Sequence, residues 1–156
     1  EENITKYISE MENNKKLNKL YTYKNRKVYV MNNKNEDSST FNQSVLFAYN
    51  KKKERTIVVG WKEISRRYEH NDMSWLYDID FELLNDKYTN KVICVGIQRY
   101  DIATRMKYAG FSDSQIEIYE DLNKAKDMIK DKSKGDIYAI LNFDYVKPFN
   151  DIMEGE

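Results

Sequence analysis

The side chains that could do chemistry are concentrated in one stretch of the chain, residues 72–82. These eleven residues hold four carboxylates and three aromatic rings. The apolar positions match neither strict alternation nor one helical stripe, so neither a single strand nor a single helix accounts for them. Buried rings would fix the backbone of a shaped loop and hold the carboxylates at defined points. The simplest interpretation is an acidic loop between a strand and a helix, which caps that helix.

Few other residues offer catalytic chemistry. His70 precedes Asp72 by two positions, and in an extended segment the two side chains diverge, so they do not form a ready-made dyad. His70 is most simply a loop residue, with a role in the site as the alternative. Cys94 lies in a predicted strand and is interpreted as a core residue, because a buried thiol far from a base is inert. Arg99 and Arg105 could bind an anion at a helix start, although Arg105 is expected to lie along the helix surface.

Several common kinds of site are excluded by the sequence. There is no glycine-rich phosphate loop among the five glycines, and no Cys/His cluster has the spacing of a metal site. Lys and Arg together number 26, as do Asp and Glu, so the net charge of zero gives no footprint for nucleic acid. We therefore expect no metal site, no nucleic-acid partner and no self-contained enzyme.

Composition indicates one folded domain in a reducing compartment. The chain has 156 residues, of which 40% are hydrophobic, and its single Cys excludes an internal disulfide. No apolar run approaches the roughly 18 residues needed to span a bilayer, and no signal-peptide pattern opens the chain. We therefore expect a cytoplasmic protein without a transmembrane segment. The chain begins Glu1-Glu2 rather than with Met, which predicts processing or a longer parent protein.

Predicted strands and helices alternate along the chain. Strands are predicted over residues 20–23, 27–31, 56–61, 91–96, 116–119 and 137–141, the first two joined by a tight turn. Helices are predicted from residue 38 or 39, from residue 101, over residues 122–129 and over residues 146–153. Pro148 is expected in the first turn of the last helix, where its missing N–H does little harm. The charge run at residues 51–55 is interpreted as a solvated helix end.

This alternation predicts the fold and the position of the site. It implies an α/β domain with a Rossmann-like three-layer architecture, in which helices cover both faces of a mainly parallel sheet. In such sheets, functional groups lie at the carboxyl ends of the strands. The loop after Trp61 and the turn after Gly96 both lie there. This arrangement would bring His70, Asp72 and Arg99 to the same rim of the sheet.

Two segments resemble one protein family. Residues 72–82, DMSWLYDIDFE, resemble the signature D-x-S-W-[LI]-[WY]-D-x-D-F-E of MurT, the Mur-ligase-like subunit of lipid II isoglutaminyl synthase. Residues 96–110, GIQRYDIATRMKYAG, resemble the family's segment G-T-R-A-x-[DE]-x-x-L-R-L-K-Y-A-G. The resemblance implies a C-terminal domain of MurT type over residues 20–156. Residues 1–19, a predicted helix and linker, resemble the end of the ligase central domain.

The resemblance implies a role in a complex. MurT pairs with GatD, a glutamine amidotransferase that frees ammonia from glutamine with a catalytic Cys and His. The central domain of MurT uses ATP and magnesium to activate the D-glutamate carboxylate of the lipid II stem peptide, and ammonia converts that residue to D-isoglutamine. The C-terminal domain is expected to complete the Cys-His pair with the Asp that begins the signature, which is Asp72 here. This chain alone would hold no cofactor and would not be active.

Further residues are expected to support this role. Trp75 and Phe81 would anchor the loop so that Asp72 projects outward, and the other acids would serve as caps and loop acceptors. The residues expected at the partner interface or in support of the site are His70, Ser74, Trp75, Asp78, Asp80 and Arg99.

The chain departs from the family pattern outside this signature. The family's K-N-P-x-G-x-N-Q corresponds here to KNEDSSTFNQ at residues 34–43, which lacks the Pro and Gly but keeps Asn42 and Gln43. The family's N-D-N-x-A-D-G-x-D loop corresponds here to residues 61–72, which keep only the final Asp of that pattern, Asp72. A second interpretation is therefore a divergent, non-catalytic Rossmann-like interaction module. A nucleotide-binding domain that uses Arg99 is a weaker third interpretation, because glycine is scarce.

Overall fold

A six-stranded sheet forms the middle layer of the domain. In the computed structural model, which describes residues 17–33, 38–61 and 72–155, the strand order is β1-β2-β6-β3-β4-β5. The strands are β1 Leu17–Tyr23, β2 Arg26–Asn33, β3 Arg55–Trp61, β4 Thr89–Gly96, β5 Ile116–Tyr119 and β6 Asp136–Asn142. The α-helices of the described residues are α1 Ser38–Asn50, α2 Arg99–Tyr108, α3 Leu122–Asp127 and α4 Phe143–Glu154. Only β1 and β2 pair in antiparallel fashion, so the predicted mainly parallel α/β fold is confirmed.

The hairpin predicted at the start of the domain is present. Lys24 and Asn25 connect β1 to β2 with φ angles of 44° and 66°. These positive values are typical of a two-residue primed turn, whose twist matches that of the two strands. Because β1 begins at Leu17, it extends three residues into the stretch predicted to be a linker. The helix predicted before that linker lies outside the described residues.

Two apolar cores cover the two faces of the sheet. Successive strand residues point to opposite faces, so each strand contributes to both cores. Ile57 and Cys94 belong to the core that also contains apolar residues of α1 and α2. Val58 and Ile93 belong to the core that also contains apolar residues of α3 and α4. Since burying one large apolar side chain stabilises the fold by about 1.5–3 kcal/mol, helices on both faces are needed to cover these strands.

Two local predictions are wrong. Pro148 is the sixth residue of α4 rather than part of its first turn, because the helix already begins at Phe143, directly after β6. The charge run at residues 51–55 is not entirely solvated, because Arg55 begins β3 and is fully buried. Its Nη2 donates a hydrogen bond to Asp86 Oδ1 at 2.8 Å. This ion pair compensates part of the cost of removing the cation from water.

Gly96 ends β4 in a backbone conformation that other residues rarely adopt. Its φ is +101°, and a Cβ atom added here would lie 2.2 Å from the carbonyl oxygen of Trp61. We expect Gly96→Ala to lower the free energy of unfolding by about 2–4 kcal/mol, because backbone strain and a clash with backbone both contribute. Urea unfolding measures this loss.

The matched control for this substitution is Gly155→Ala. Gly155 has a φ of −73°, and the nearest atom to an added Cβ is the Asp151 carbonyl oxygen at 3.0 Å. Its unfolding midpoint should stay close to that of the native chain, since alanine adopts this φ without strain. Equal midpoints for the two variants would contradict the argument for Gly96.

Candidate functional site

Asp72 presents an ionised carboxylate beside a short 3₁₀ helix over Ser74–Asp78. The side chain is exposed, and its Oδ1 accepts a hydrogen bond from the Ser74 N–H at 2.9 Å, which forms an Asx turn. Hydrogen bonds from the amide and hydroxyl of Ser74 hold the pKa of Asp72 below its ordinary value of 3.8. The carboxylate is therefore charged at neutral pH, oriented through one oxygen and accessible from solvent.

Apolar side chains anchor this loop in the core. Ile79 and Phe81 are fully buried. Trp75 is partly buried and packs against Trp61 and Phe41, with ring centroids 5.2 and 5.3 Å away. Trp75 and Phe81 thus pack as expected for anchors of the loop. The third aromatic ring, Tyr77, differs because it is 54% exposed.

Arg105 lies under the loop and not along the helix surface as predicted. Its side chain is buried, and its Nε and Nη2 donate hydrogen bonds to the carbonyl oxygens of Leu76 and Ile79 at 2.9 and 2.6 Å. Nη2 also forms an ion pair with the Glu82 carboxylate at 2.8 Å. The guanidinium hydrogen bond keeps the pKa of Glu82 below its ordinary range. Arg105 therefore ties three points of the loop to α2.

A signal for the burial of Arg105 was present in the sequence. Arg105 follows Ile102 by three residues and directly precedes Met106, and both of these are buried. It therefore lies on the inward stripe of the helix, as its spacing indicates. The prediction failed because an arginine is normally exposed unless it is paired, and its partners here include two backbone carbonyls.

Asn42 holds the same loop from the other helix on this face. Its Nδ2 donates to the carbonyl oxygen of Asp78 at 2.9 Å, and its Oδ1 accepts the N–H of Asp80 at 2.7 Å. One amide side chain thus satisfies a donor and an acceptor of the loop backbone. Sequence reasoning noted Asn42 only as a residue kept from the family pattern and assigned it no role in the site.

The acids Asp78 and Asp80 contact Asn42 through their backbones. Both side chains are exposed. Asp80 precedes a second 3₁₀ helix over Phe81–Leu84, but its side chain makes no capping hydrogen bond. The interpretation of Asp80 as a helix cap is therefore wrong. Both side chains are accessible, as an interface role would require, and that role stays a prediction.

The structure describes two of the three residues expected on the same rim of the sheet, Asp72 and Arg99. His70 lies outside the described residues. Arg99 begins α2 at the carboxyl end of β4, where its Nη1 donates to the Gly96 carbonyl oxygen at 3.1 Å and its guanidinium stacks on the Tyr100 ring. Both of these contacts of Arg99 are thus with residues close to it in sequence. Of the predicted site residues, Asp72 and Ser74 are joined by a hydrogen bond.

The described residues contain few other reactive groups. Cys94 is buried, and burial raises the pKa of its thiol to about 12, which agrees with a core residue rather than a nucleophile. Across residues 17–33, 38–61 and 72–155, no group of three or more His, Cys, Asp and Glu side chains could hold a metal ion. Within the same ranges, no helix has the length and apolarity to cross a bilayer.

The geometry of the site limits the chemistry that it can perform. Asp72 is a charged hydrogen-bond acceptor in a fixed turn, and the described residues place no thiol or imidazole beside it. A carboxylate of this kind can orient a histidine and stabilise its protonated form without reacting itself. That function does not require the histidine to belong to the same chain.

Comparison with known proteins identifies a family whose sequence model matches this chain. A sequence model described as MurT ligase C-terminal matches residues 34–145. The match includes both segments that carry the resemblance, and it covers well over half of the 156 residues. No curated protein sequence matches the chain.

Proposed function

The chain belongs to the MurT ligase C-terminal family, and from this membership we propose that it docks a GatD-type glutamine amidotransferase and supplies Asp72 to that enzyme's Cys-His pair. Membership makes the protein a MurT-like, Mur-ligase-type subunit with a function related to peptidoglycan. The partner, the role of Asp72 and a cytoplasmic location are parts of the proposal.

The proposed chemistry begins with hydrolysis of glutamine on the partner. The partner's cysteine thiolate attacks the side-chain amide carbon of glutamine, and the C–N bond breaks as the histidine gives a proton to the departing ammonia. Water then hydrolyses the glutamyl thioester, which releases glutamate and regenerates the cysteine. Asp72 accepts the Nδ1–H of this histidine, which selects the productive tautomer and stabilises the imidazolium. The ammonia would then attack the D-glutamate carboxyl group of the lipid II stem peptide after its activation by ATP in the ligase core, and the amide forms as the activating group leaves.

The ligase core outside this chain would hold ATP and magnesium, which activate the D-glutamate carboxylate. Among the described residues, no group of three or more His, Cys, Asp and Glu side chains could hold a metal ion. In the proposal, this chain contributes docking and Asp72, and the ATP-dependent step takes place in the ligase core.

The geometry of Asp72 is the observation that supports this proposal best. A residue that completes a triad on another protein must be ionised, accessible and held in one direction. Asp72 is exposed, its pKa is lowered by Ser74, and the Asx turn directs its carboxylate.

The experiment that tests the proposal mixes the chain with the amidotransferase subunit from the same genome. We expect co-elution on a sizing column and a rise in glutamine hydrolysis of at least about 100-fold over the amidotransferase alone, because the triad is then complete. Two separate peaks would overturn the docking proposal. Co-elution without faster hydrolysis would favour the second interpretation, a non-catalytic interaction module.

A further inference from the structure

We infer that Asn42 and Arg105 are positioning residues, which hold the loop of Asp72 from two helices so that its carboxylate meets the partner's histidine. The inference rests on the function proposed above. Neither side chain bonds to Asp72. Asn42 contacts backbone atoms of Asp78 and Asp80, and Arg105 contacts two backbone carbonyls and the Glu82 carboxylate, all within residues 76–82, which begin four residues after Asp72.

The loop needs external support because the hydrogen bonds between its own backbone groups join residues that are only two or three apart in sequence. Its two 3₁₀ helices have five and four residues, and such short helices have poor hydrogen-bond geometry. At the two ends of the first helix, the Leu76 N–H donates to the Met73 carbonyl oxygen at 3.1 Å, and the Ile79 N–H donates to that of Leu76 at 3.4 Å. These bonds do not set the position of the loop on the sheet.

Arg105 and Asn42 supply that support from α2 and α1. Arg105 contacts the carbonyls of Leu76 and Ile79, and Asn42 contacts the backbone of Asp78 and Asp80. Together they hold a segment of five consecutive residues on two sides. Charge-assisted hydrogen bonds such as those of Arg105 are roughly twice as strong as neutral ones. Arg105 on α2 is therefore expected to stabilise the position of the loop more than Asn42 on α1 does.

The backbone of the first 3₁₀ helix, with a hydrogen bond at each end, joins the Arg105 contact to Asp72. The Asp72 carboxylate accepts the Ser74 N–H, Ser74 lies in the first 3₁₀ helix, and the carbonyl of Leu76 in that helix accepts from Arg105. A shift of the helix would therefore carry the carboxylate with it. A displacement of about 1 Å in a catalytic group can cost about 100-fold in rate.

Asn42→Ala is the most direct test, because alanine suits a helix and Asn42 is only partly buried. In the complex at saturating partner concentration, we expect kcat for glutamine hydrolysis to fall about 10-fold with KM unchanged. Loss of the imidazolium's partner also lowers the pKa of the histidine. In the pH profile of kcat/KM, the limb that reports the ionisation of this histidine should therefore shift to lower pH.

The decisive measurement is a double-mutant cycle with Asp72→Asn. If Asn42 acts only through Asp72, then Asn42→Ala has no further effect on kcat in the Asp72→Asn background. Asn50→Ala on the same helix is the control, since within the described residues Asn50 makes no hydrogen bond to the loop. This control should match the native chain.

Arg105→Lys tests the α2 side of the same inference. Lysine keeps the charge but cannot reach two carbonyls with one planar fork, so kcat should fall about 10-fold or more, again only when Asp72 is present. Lys107→Gln is its control, because Lys107 pairs with Asp113 on the outside of α2. A sizing column checks that each variant is folded and bound.

The possible outcomes separate the inference from the proposed function. If Asp72→Asn leaves hydrolysis unchanged, the proposed role of Asp72 fails and only docking remains. If Asp72→Asn is impaired but Asn42→Ala and Arg105→Lys have native kcat and native pH profiles, only the positioning inference fails. Equal losses from Asn42→Ala with and without Asp72 would also overturn it, since they would reveal a role independent of that carboxylate.

Discussion

Replacing Asp72 with asparagine should lower kcat for glutamine hydrolysis by the complex at least about 100-fold. Asparagine has the same shape, and its amide oxygen still accepts the Ser74 N–H, so the Asx turn is kept. It carries no charge and cannot stabilise an imidazolium. Its NH₂ group would also face the histidine N–H, which favours the wrong tautomer.

The measurement combines kcat with the elution volume of the complex. The native volume should be kept, because the substitution changes one exposed atom and leaves the buried anchors in place. Asp113→Asn is the matched control, since Asp113 is an exposed acid that pairs with Lys107 and not with the loop. Full activity in the Asp72→Asn complex would reduce the protein's role to docking.

Replacing Arg105 with methionine should lower the free energy of unfolding of the chain by about 3–5 kcal/mol. Methionine fills much of the buried volume but removes two hydrogen bonds from a charged group, each worth about 1.5–3 kcal/mol. The two carbonyls keep one backbone donor each, from the N–H groups of Ile79 and Phe81. Because the carbonyls still accept these bonds, most of the lost free energy of unfolding reflects the hydrogen bonds that the guanidinium made.

Glu82→Gln separates the ion pair from the backbone contacts of Arg105. The Glu82 side chain is 56% exposed, so the pair is partly screened by water and its loss should cost less than about 1 kcal/mol. Urea unfolding of the isolated chain gives both values from the shift in midpoint at constant slope. A larger loss for Glu82→Gln than for Arg105→Met would contradict the view that the backbone carbonyls dominate.

Local patterns were sufficient for much of the fold. The β-branched runs of β3 and β4 and the short β5 lie within two residues of their predicted bounds. Periodicity is set by neighbours in sequence, and so is the Asx turn, since Asp72 and Ser74 are two residues apart. The Pro148 prediction failed because the start of α4 depends on where β6 ends and not on the proline itself.

By itself, then, the sequence determined the order of the elements, the family and the acidic motif that carries Asp72. Only the tertiary structure decided how that motif is held. Asn42 contacts it across 36 and 38 residues, and Arg105 contacts it across 23 to 29. These contacts require α1 and α2 to pack on the same face of the sheet. Most of the partner atoms belong to the backbone, which every residue possesses, so no pattern of residue types could have identified them.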